Sequence, residues 1–412
     1  MSGAPSARIL AINTGSSSLK AALYRTDSVD TPLLGVLVER IGSAGASVRV
    51  SSSGAGALAE RKEDIRDFDA ALDALLRAAS EFDPGHRLSA IGHRLVHGGL
   101  AFAQPQAITP EVMRELDRLA PQAPEHMPQA LAAVRFFARR HRGVPQVACF
   151  DTSFHHTMPR VAQLIPLPEA LRDEGFVRYG FHGLSYESAV AELRRVDPVA
   201  ARGRTVVAHL GNGASMTAMH DGKSVDTTMG YTPTSGLVMS TRCGDIDPGV
   251  VIDLIERHKL TAAEVNAILD KQSGLLGVSG TSSDMRDLLT SEFRDRRAAN
   301  AIELFCYRAR KYLGAFASVL GGLDTLVFTG GIGENAAAIR ERICKGQEYL
   351  GIALDAEANR ANAPVVSAGG GGVTVRVIRA DEEGVIARHT QALLGTRKSA
   401  RHPALLASMY DP

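Results

Sequence analysis

Eight residues near the N-terminus, Asn13-Thr14-Gly15-Ser16-Ser17-Ser18-Leu19-Lys20, bring together four side-chain hydroxyls, a run of backbone N–H groups and one ammonium. A loop of this kind can wrap phosphate oxygens, with Lys20 as the compact positive charge. The same residues also make an ordinary polar hairpin turn, and the turn alone does not choose between the two. A second anion-seeking segment is Gly330-Gly331-Ile332-Gly333-Glu334-Asn335, between a strand-like run and a helical one. Backbone donors and a helix dipole there favour an anion or nucleotide.

That segment has a competing reading. Gly331 to Ala336 fits the dinucleotide fingerprint Gly-x-Gly-x-x-Gly/Ala, and Asp355 stands near the position of its ribose-binding acid. Gly222-Lys223-Ser224 looks like the end of a phosphate-binding P-loop, but Thr217 occupies the place of the required first glycine, which excludes it.

Arg94, inside Gly92-His93-Arg94-Leu95-Val96-His97-Gly98-Gly99, offers a planar fork for a carboxylate, or is simply a surface residue at a strand end. Arg242-Cys243-Gly244-Asp245-Ile246-Asp247-Pro248 joins a cation to two carboxylates. A self-bracing Asx turn ahead of a proline-initiated helix is favoured there over a metal site. Ser282-Ser283-Asp284-Met285-Arg286 reads equally well as a helix N-terminus. Asp381-Glu382-Glu383 follows a strand and offers carboxylates to magnesium, although a solvated acidic turn fits the spacing better. His155 and His156, if extended, point to opposite sides, which weakens a paired-ligand role.

The elements that must position these groups repeat. Ile9 to Tyr24 predicts a hairpin, and Thr205 to Asp221 predicts a second of the same plan, turning at Gly211-Asn212-Gly213-Ala214-Ser215. Two such units imply a duplicated architecture. Residues 43–58 predict a loose loop or weak hairpin, and Glu63–Phe82 an amphipathic helix. Strands are expected at Ala90–Val96, Gln146–Phe150, Thr325–Phe328 and Val373–Ile378, with a helix over Ala336–Leu350 and a fraying tail after Thr396.

A chain of 412 residues is long enough for two domains, and 45% hydrophobic with 22% charged residues is a globular balance. A formal net charge of +1 argues against nucleic acid or an anionic membrane as partner. Cys149, Cys243, Cys306 and Cys344 form no Cys-x-x-Cys pair, so free thiols in a reducing compartment are expected. No signal peptide or apolar run of spanning length is read, which predicts a cytoplasmic protein.

In this order the signals resemble the acetate kinase family over nearly the whole chain, from Ile9 to about Thr390. The markers are Asn-x-Gly-Ser-Ser-Ser-x-Lys, Gly-His-Arg-x-Val-His-Gly-Gly, Phe-Asp-Thr-x-Phe-His, Arg-Tyr-Gly-Phe-His-Gly, His-Leu-Gly-Asn-Gly, Thr-Arg-x-Gly-Asp-Ile-Asp-Pro and Gly-Gly-Ile-Gly-Glu-Asn. The nicotinamide reading explains only the last. The resemblance implies an α/β fold of two duplicated actin-like, ribonuclease H-like domains around a central cleft. These are expected at 1–151, with the segment from about 388 packing back, and at 152–387.

It further implies reversible phosphoryl transfer from ATP to acetate, giving acetyl phosphate and ADP, with propionate or another short acid as the alternative acceptor. Asp151, His182 and Arg242 are then the reacting-centre residues. Arg94, Val96, Phe181 and Pro233 take the substrate. Lys20, His209, Leu210, Gly211, Asn212, Gly213, Asp284, Met285, Arg286, Gly331, Ile332, Gly333, Glu334 and Asn335 take the nucleotide. Asn13 and Glu383 lie at the Mg2+, which Mn2+ can replace, and the family implies a homodimer. An actin-like ATPase with a regulatory or binding role is the alternative from another class.

The residue types suit that chemistry. Phosphoryl transfer needs positioning and neutralisation of charge on the equatorial oxygens, which Arg242 and a donating His182 can supply. A carboxylic acid is already ionised at neutral pH, so Asp151 is expected to orient metal or substrate rather than remove a proton. The sequence departs from the family at Glu125, Met127, His156, Leu184, Tyr186, Thr234, Ser235, Ser240, Cys243 and Asp381; at Tyr186 the family usually has His. These changes bear on which acid is taken more than on reaction type.

Overall fold

The computed structural model describes residues 7–15, 17–43, 45–52 and 56–399; Ser16, part of the first turn, and the tail from Ala400 lie outside the described residues. The chain forms two compact units. One comprises the chain up to Gly98, Gln104–Phe150 and the chain from Glu382; the other comprises Gly99–Ala103 and Asp151–Asp381.

The first unit carries β1 (Ala7–Thr14), β2 (Ser18–Arg25), β3 (Leu34–Glu39), β4 (Ser47–Ser52), β5 (Gly56–Lys62), β6 (Arg87–Leu95), β7 (Gln106–Ala107) and β8 (Gln146–Phe150). Their order across the sheet is β5-β4-β3-β2-β1-β6-β8-β7. The second unit carries β9 (Arg204–Leu210), β10 (Ala214–His220), β11 (Lys223–Thr227), β12 (Thr325–Thr329) and β13 (Thr374–Val377), ordered β11-β10-β9-β12-β13. Within the larger sheet, β3-β2-β1-β6-β8 follows the same plan. In each set three antiparallel strands are followed by two parallel neighbours on the far side of the first strand. The duplication expected from the two hairpins is present, and the fold is α/β and actin-like.

Side chains alternate across a strand, so each sheet face can be assigned. Leu10 and Ile12 of β1 enter a core with Leu72 and Leu75 of the helix Phe68–Phe82 and Phe137 of the helix Met127–Arg140. Asn13 therefore belongs to the other face. On β6, a Cβ at Gly92 would stand 2.2 Å from Thr390 Oγ1 and 2.5 Å from Ile386 Cγ2. The helix Glu382–Ser399 thus covers the face that Gly92 and, two residues on, Arg94 share. In the second unit, Val207, Met219 and Val327 pack against Tyr186, Ala189, Val190 and Leu193 of the helix Gly183–Val196. His209, Ser215 and Thr217 share that face by parity.

The covering helices are exchanged along the chain. Gly183–Val196 follows β8 of the first sheet yet packs on the second, and Glu382–Ser399 follows β13 yet packs on the first.

Some boundaries differ from expectation. The helix expected from Glu63 begins at Phe68, because the Asp67 side chain accepts the Ala70 N–H and stops the helix extending backwards. The single helix expected over Ala336–Leu350 is broken. Ala336 leaves helical geometry between Gly330–Asn335 and Ala337–Cys344, and Gly346 at φ +77° separates the short turn Glu348–Leu350. His155 and His156 lie in a 3-10 turn, Ser153–Thr157, rather than in extended chain. The weak hairpin is β4–β5, with Ser53–Ala55 outside the described residues. Among the described residues no helix is long and apolar enough to cross a membrane.

Candidate active site

In the first unit the polar group gathers at the end of β1. Asn13 Nδ2 donates to Glu382 Oε2 at 2.7 Å and to Glu383 Oε1 at 2.9 Å, while its Oδ1 accepts from Arg94 Nη1 at 2.9 Å. Arg94 Nη1 also lies 3.6 Å from Glu382 Oε2. Burial, then the neighbouring Glu382 carboxylate, raise the Glu383 pKa; Lys20 and the Asn13 amide pull the other way. Lys20 is exposed on β2, directly across the ladder from Asn13. Val96 is buried.

The flanking histidines are not ligand-ready. Burial pushes the pKa of both His93 and His97 down to about 4. His93 Nε2 lies 2.7 Å from Gln146 Oε1, which can only accept, so that nitrogen carries the hydrogen. The motif's histidines are neutral groups, and its arginine carries the charge.

In the second unit His182 sits at the start of the helix Gly183–Val196 with φ +60°, a left-handed conformation that turns its ring toward the β9–β10 loop. The ring stacks on His209 with centroids 4.3 Å apart. Its Nδ1 lies 2.8 Å from Ser215 Oγ, and Ser215 Oγ in turn hydrogen-bonds the Tyr186 hydroxyl. A Cβ at Gly213 would stand 3.0 Å from His182 Nε2 and 3.6 Å from Arg242 Nη1, so both cationic or donor tips converge over that glycine. Arg242 Nη1 donates to the Pro233 carbonyl at 3.3 Å, and Pro233 is buried.

Asp151 is buried, and its backbone carbonyl accepts the Gly183 N–H at 3.0 Å. Phe181 is buried, and its carbonyl accepts His155 Nε2–H at 2.9 Å. His155, with its pKa pushed down to about 4 by burial, is a structural brace.

Apart from Lys20 on β2 of the first unit, the predicted nucleotide residues lie in this unit, in three segments. His209 and Leu210 end β9, and Gly211 N donates to Gly213 O at 3.0 Å to shape the loop with Asn212. Ser240 fixes Asn212, donating its N–H to the Asn212 carbonyl at 3.2 Å and its hydroxyl to Asn212 Oδ1 at 3.4 Å. The second glycine loop lies alongside, with Gly331 N 3.9 Å from the Cβ position of Gly211. Within it Ile332 and Gly333 are in the helical turn, Glu334 Oε1 accepts the Gly330 and Ala380 N–H groups at 3.0 Å each, and Asn335 donates to the Gly331 carbonyl.

Asp284 caps the helix Met285–Ser291 through the Arg286 N–H and pairs with the exposed Arg286 guanidinium; the Met285 side chain is core. Asp355, the acid that the dinucleotide reading needed, caps the helix Ala356–Arg360 instead. Asp247 likewise caps the proline-initiated helix Pro248–Glu256, the turn role expected for it.

Four residues belong here that sequence reasoning did not assign to the site. Glu382 shares Asn13 and Arg94 with Glu383, and only its place beside Glu383 hinted at it. Ser215 and Tyr186 reach His182 from a strand and the next helical turn. Arg340 is fully buried and donates to the Gly333 carbonyl at 2.8 Å, the Glu334 carbonyl at 3.0 Å and Asn359 Oδ1 at 2.8 Å, pinning the second glycine loop from below. An arginine in an amphipathic helix carries no signal that it is core.

Among the described residues no cluster of three or more His, Cys, Asp or Glu side chains is set to hold a metal. Asn13, Glu382 and Glu383 nevertheless fit Mg2+, which is commonly held by one or two carboxylates together with substrate phosphates and water. Two carboxylates sharing one amide, one of them with a raised pKa, are a hard-oxygen donor set that a divalent cation stabilises.

Residues 8–388 match the model of the acetokinase family. A protein of Methylocella silvestris called acetate kinase is 45% identical over 405 residues, covering 95% of this chain and 99% of that one. Among solved structures, Porphyromonas gingivalis acetate kinase superposes with a TM-score of 0.82 at 36% identity, covering 94% of this chain and all of that one. A propionate kinase from Francisella tularensis gives 0.86 at 34% identity, covering 94% and 99%. With a family model spanning nearly the whole chain and relatives of full length, this protein belongs to the acetokinase family.

Proposed function

We propose that the protein transfers a phosphoryl group reversibly between ATP and acetate. The observation that carries the reading is the convergence of His182 Nε2 and Arg242 Nη1 over Gly213, inside the loop expected to meet the ATP phosphates. In phosphoryl transfer the protein's work is to position reactants and offset charge on the equatorial oxygens. Arg242 meets that charge with its guanidinium, and His182 meets it as a donor from Nε2. Arg94 grips the acceptor carboxylate, and Val96, Phe181 and Pro233 provide apolar contact for its methyl group. Lys20 and the Gly211–Gly213 and Gly331–Asn335 backbones hold the phosphates and nucleotide, with Asp284–Arg286 alongside.

Asn13, Glu382 and Glu383 hold Mg2+, which when bound neutralises phosphate charge. Asp151 orients metal or substrate; the acceptor is ionised without its help.

Propionate is the second acceptor, supported by the likeness to a propionate kinase. One methylene is worth only about 1–3 kcal/mol in an apolar pocket, so both acids are turned over, acetate first. ADP formation from Mg-ATP with each acid, with acyl phosphate trapped by hydroxylamine, tests the reading. Faster use of butyrate than of acetate would overturn it.

The assembly is a homodimer. On and just before the helix Pro248–Glu256, Ile246, Val250, Ile252 and Ile255 are 40%, 44%, 54% and 43% exposed, and the helix buries no residue within the chain. A run of exposed branched residues is what a second copy covers. Ile252→Glu should yield a monomer in sedimentation; an unchanged sedimentation coefficient contradicts this contact. Free cysteines, three of them buried, and dependence on ATP suit the cytoplasm.

A further inference from the structure

Tyr186 stands where the family usually carries histidine, and its hydroxyl hydrogen-bonds Ser215 Oγ, with the Thr217 hydroxyl also beside it. Ser215 Oγ has two partners, Tyr186 and His182 Nδ1. Both residues are fully buried, with no exposure to water. Each hydroxyl owns a single hydrogen, and a buried hydroxyl hydrogen left without an acceptor is costly. With the phenol hydrogen on Ser215, the contact of hydrogen-bond geometry, rather than on Thr217, one arrangement places both hydrogens. Tyr186 O–H donates to Ser215 Oγ, and Ser215 O–H donates to His182 Nδ1. His182 Nδ1 is then the acceptor, and the hydrogen of the neutral ring sits on Nε2.

The nearby hydroxyls do not offer Tyr186 another donor. Thr227 spends its hydrogen on the Met216 carbonyl at 3.1 Å, and Thr217 can then donate to Thr227 Oγ1 at 2.9 Å. Burial also raises the Tyr186 pKa, which keeps the phenol a donor. The left-handed backbone at His182 and the stack on His209 hold the ring plane, and the hydroxyl chain reaches the ring at Nδ1.

We propose that Tyr186, acting through Ser215, is a positioning residue that fixes His182 as the Nε2–H tautomer, aiming a hydrogen-bond donor at the transferred phosphoryl group beside Arg242. This rests on the phosphotransfer reading above for its consequence, though not for the tautomer itself. It also accounts for the departure from the family, since a histidine N–H at this position donates to Ser215 as a phenol does.

The test uses the full-length protein labelled with 15N at histidine, with the His182 signals assigned against a His182→Gln control. Two-bond 15N–1H correlation should show Nδ1 unprotonated and Nε2 protonated in the wild type. Tyr186→Phe keeps the ring volume and removes only the hydroxyl. Ser215 can then either donate or accept, so the Nδ1 signal should move toward the protonated value. In the hydroxylamine assay kcat should fall about 10- to 100-fold, the usual effect of removing a group that orients a functional histidine. KM for ATP and acetate should not change. Tyr186→His should restore most of kcat, and Ser215→Ala should reproduce the tautomer shift of Tyr186→Phe.

An Nδ1–H ring in the wild type would overturn the proposal whatever the activity. So would a Tyr186→Phe enzyme that folds with unchanged kcat. A wild-type protein that makes no acyl phosphate contradicts the phosphotransfer reading instead, and the NMR result still decides the hydroxyl chain.

Discussion

Asn13 and Glu383 are 370 positions apart in sequence, yet the Asn13 amide donates to the Glu383 carboxylate at 2.9 Å. The contact exists because β1 presents Asn13 on the face that the C-terminal helix covers, and the helix opens with its two glutamates there.

Glu383→Gln should therefore raise the Mg2+ concentration for half-maximal activity by more than about tenfold, while the fold survives. The sign of the pH effect follows from the raised pKa. A proton competes for this carboxylate at higher pH than for an ordinary glutamate, so the Mg2+ requirement should rise as pH falls toward 5. Magnesium titrations of both proteins at several pH values check this. An unchanged requirement in Glu383→Gln contradicts the metal assignment.

His93, His97 and His155 are each held near pKa 4 by burial, against an ordinary 6.5. The unfolded chain then binds protons that the folded chain refuses, so stability is complete above 6.5 and is lost as pH falls toward 4. The loss is at most about 3 kcal/mol for each imidazole. Urea midpoints should be flat from pH 7 to 8 and drop steeply between 6.5 and 4.5. A midpoint constant down to pH 5 would show that these rings are not neutral and buried.

Two glycines, Gly183 beside the predicted site and Gly331 in it, should behave oppositely. A Cβ at Gly183 would stand 2.0 Å from the Asp151 carbonyl oxygen, a backbone atom that cannot move aside cheaply. Gly183→Ala should displace Asp151, lowering Tm and abolishing turnover. At Gly331 nothing lies within 4 Å of the added carbon. Gly331→Ala should keep Tm and weaken only ATP binding, where nucleotide approaches the backbone. Equal Tm for the two variants contradicts this packing.

Arg340→Met should cost about 3 kcal/mol or more, because buried carbonyls and Asn359 lose their donor. It should also raise KM for ATP, since Gly333 and Glu334 lose their anchor. Arg340→Lys should not rescue either effect, because one ammonium cannot span the guanidinium's several acceptors. Full rescue by lysine would show that charge alone matters there.

The parts of the site that sequence made legible are those whose chemistry is local. The Gly-Ser-Ser-Ser and Gly-Asn-Gly turns announce themselves by residue type, and the alternating runs beside them give the paired hairpins and the duplicated sheet. What stayed hidden depends on pairing over long distances. Glu382 becomes a partner of Arg94 only once the C-terminal helix crosses to the first sheet. Ser215 reads as the end of a turn until β10 takes it in and sets its hydroxyl against His182. Arg340 reads as surface because an arginine's usual place is solvent, and tertiary hydrogen bonds overrule that preference. The helix expected as one piece over Ala336–Leu350 stops at Cys344, and Gly346 sets off the short turn Glu348–Leu350, a break that apolar periodicity alone does not announce.

The most direct test of phosphoryl transfer to acetate is acyl phosphate formation by the purified protein with Mg-ATP and acetate, trapped with hydroxylamine and measured beside propionate, butyrate and a no-acid control. Acid-dependent product, greatest with acetate and lost in Arg242→Ala, is the predicted result. ADP release that does not depend on any acid would contradict it and point to an ATPase of the same fold with a regulatory or binding role.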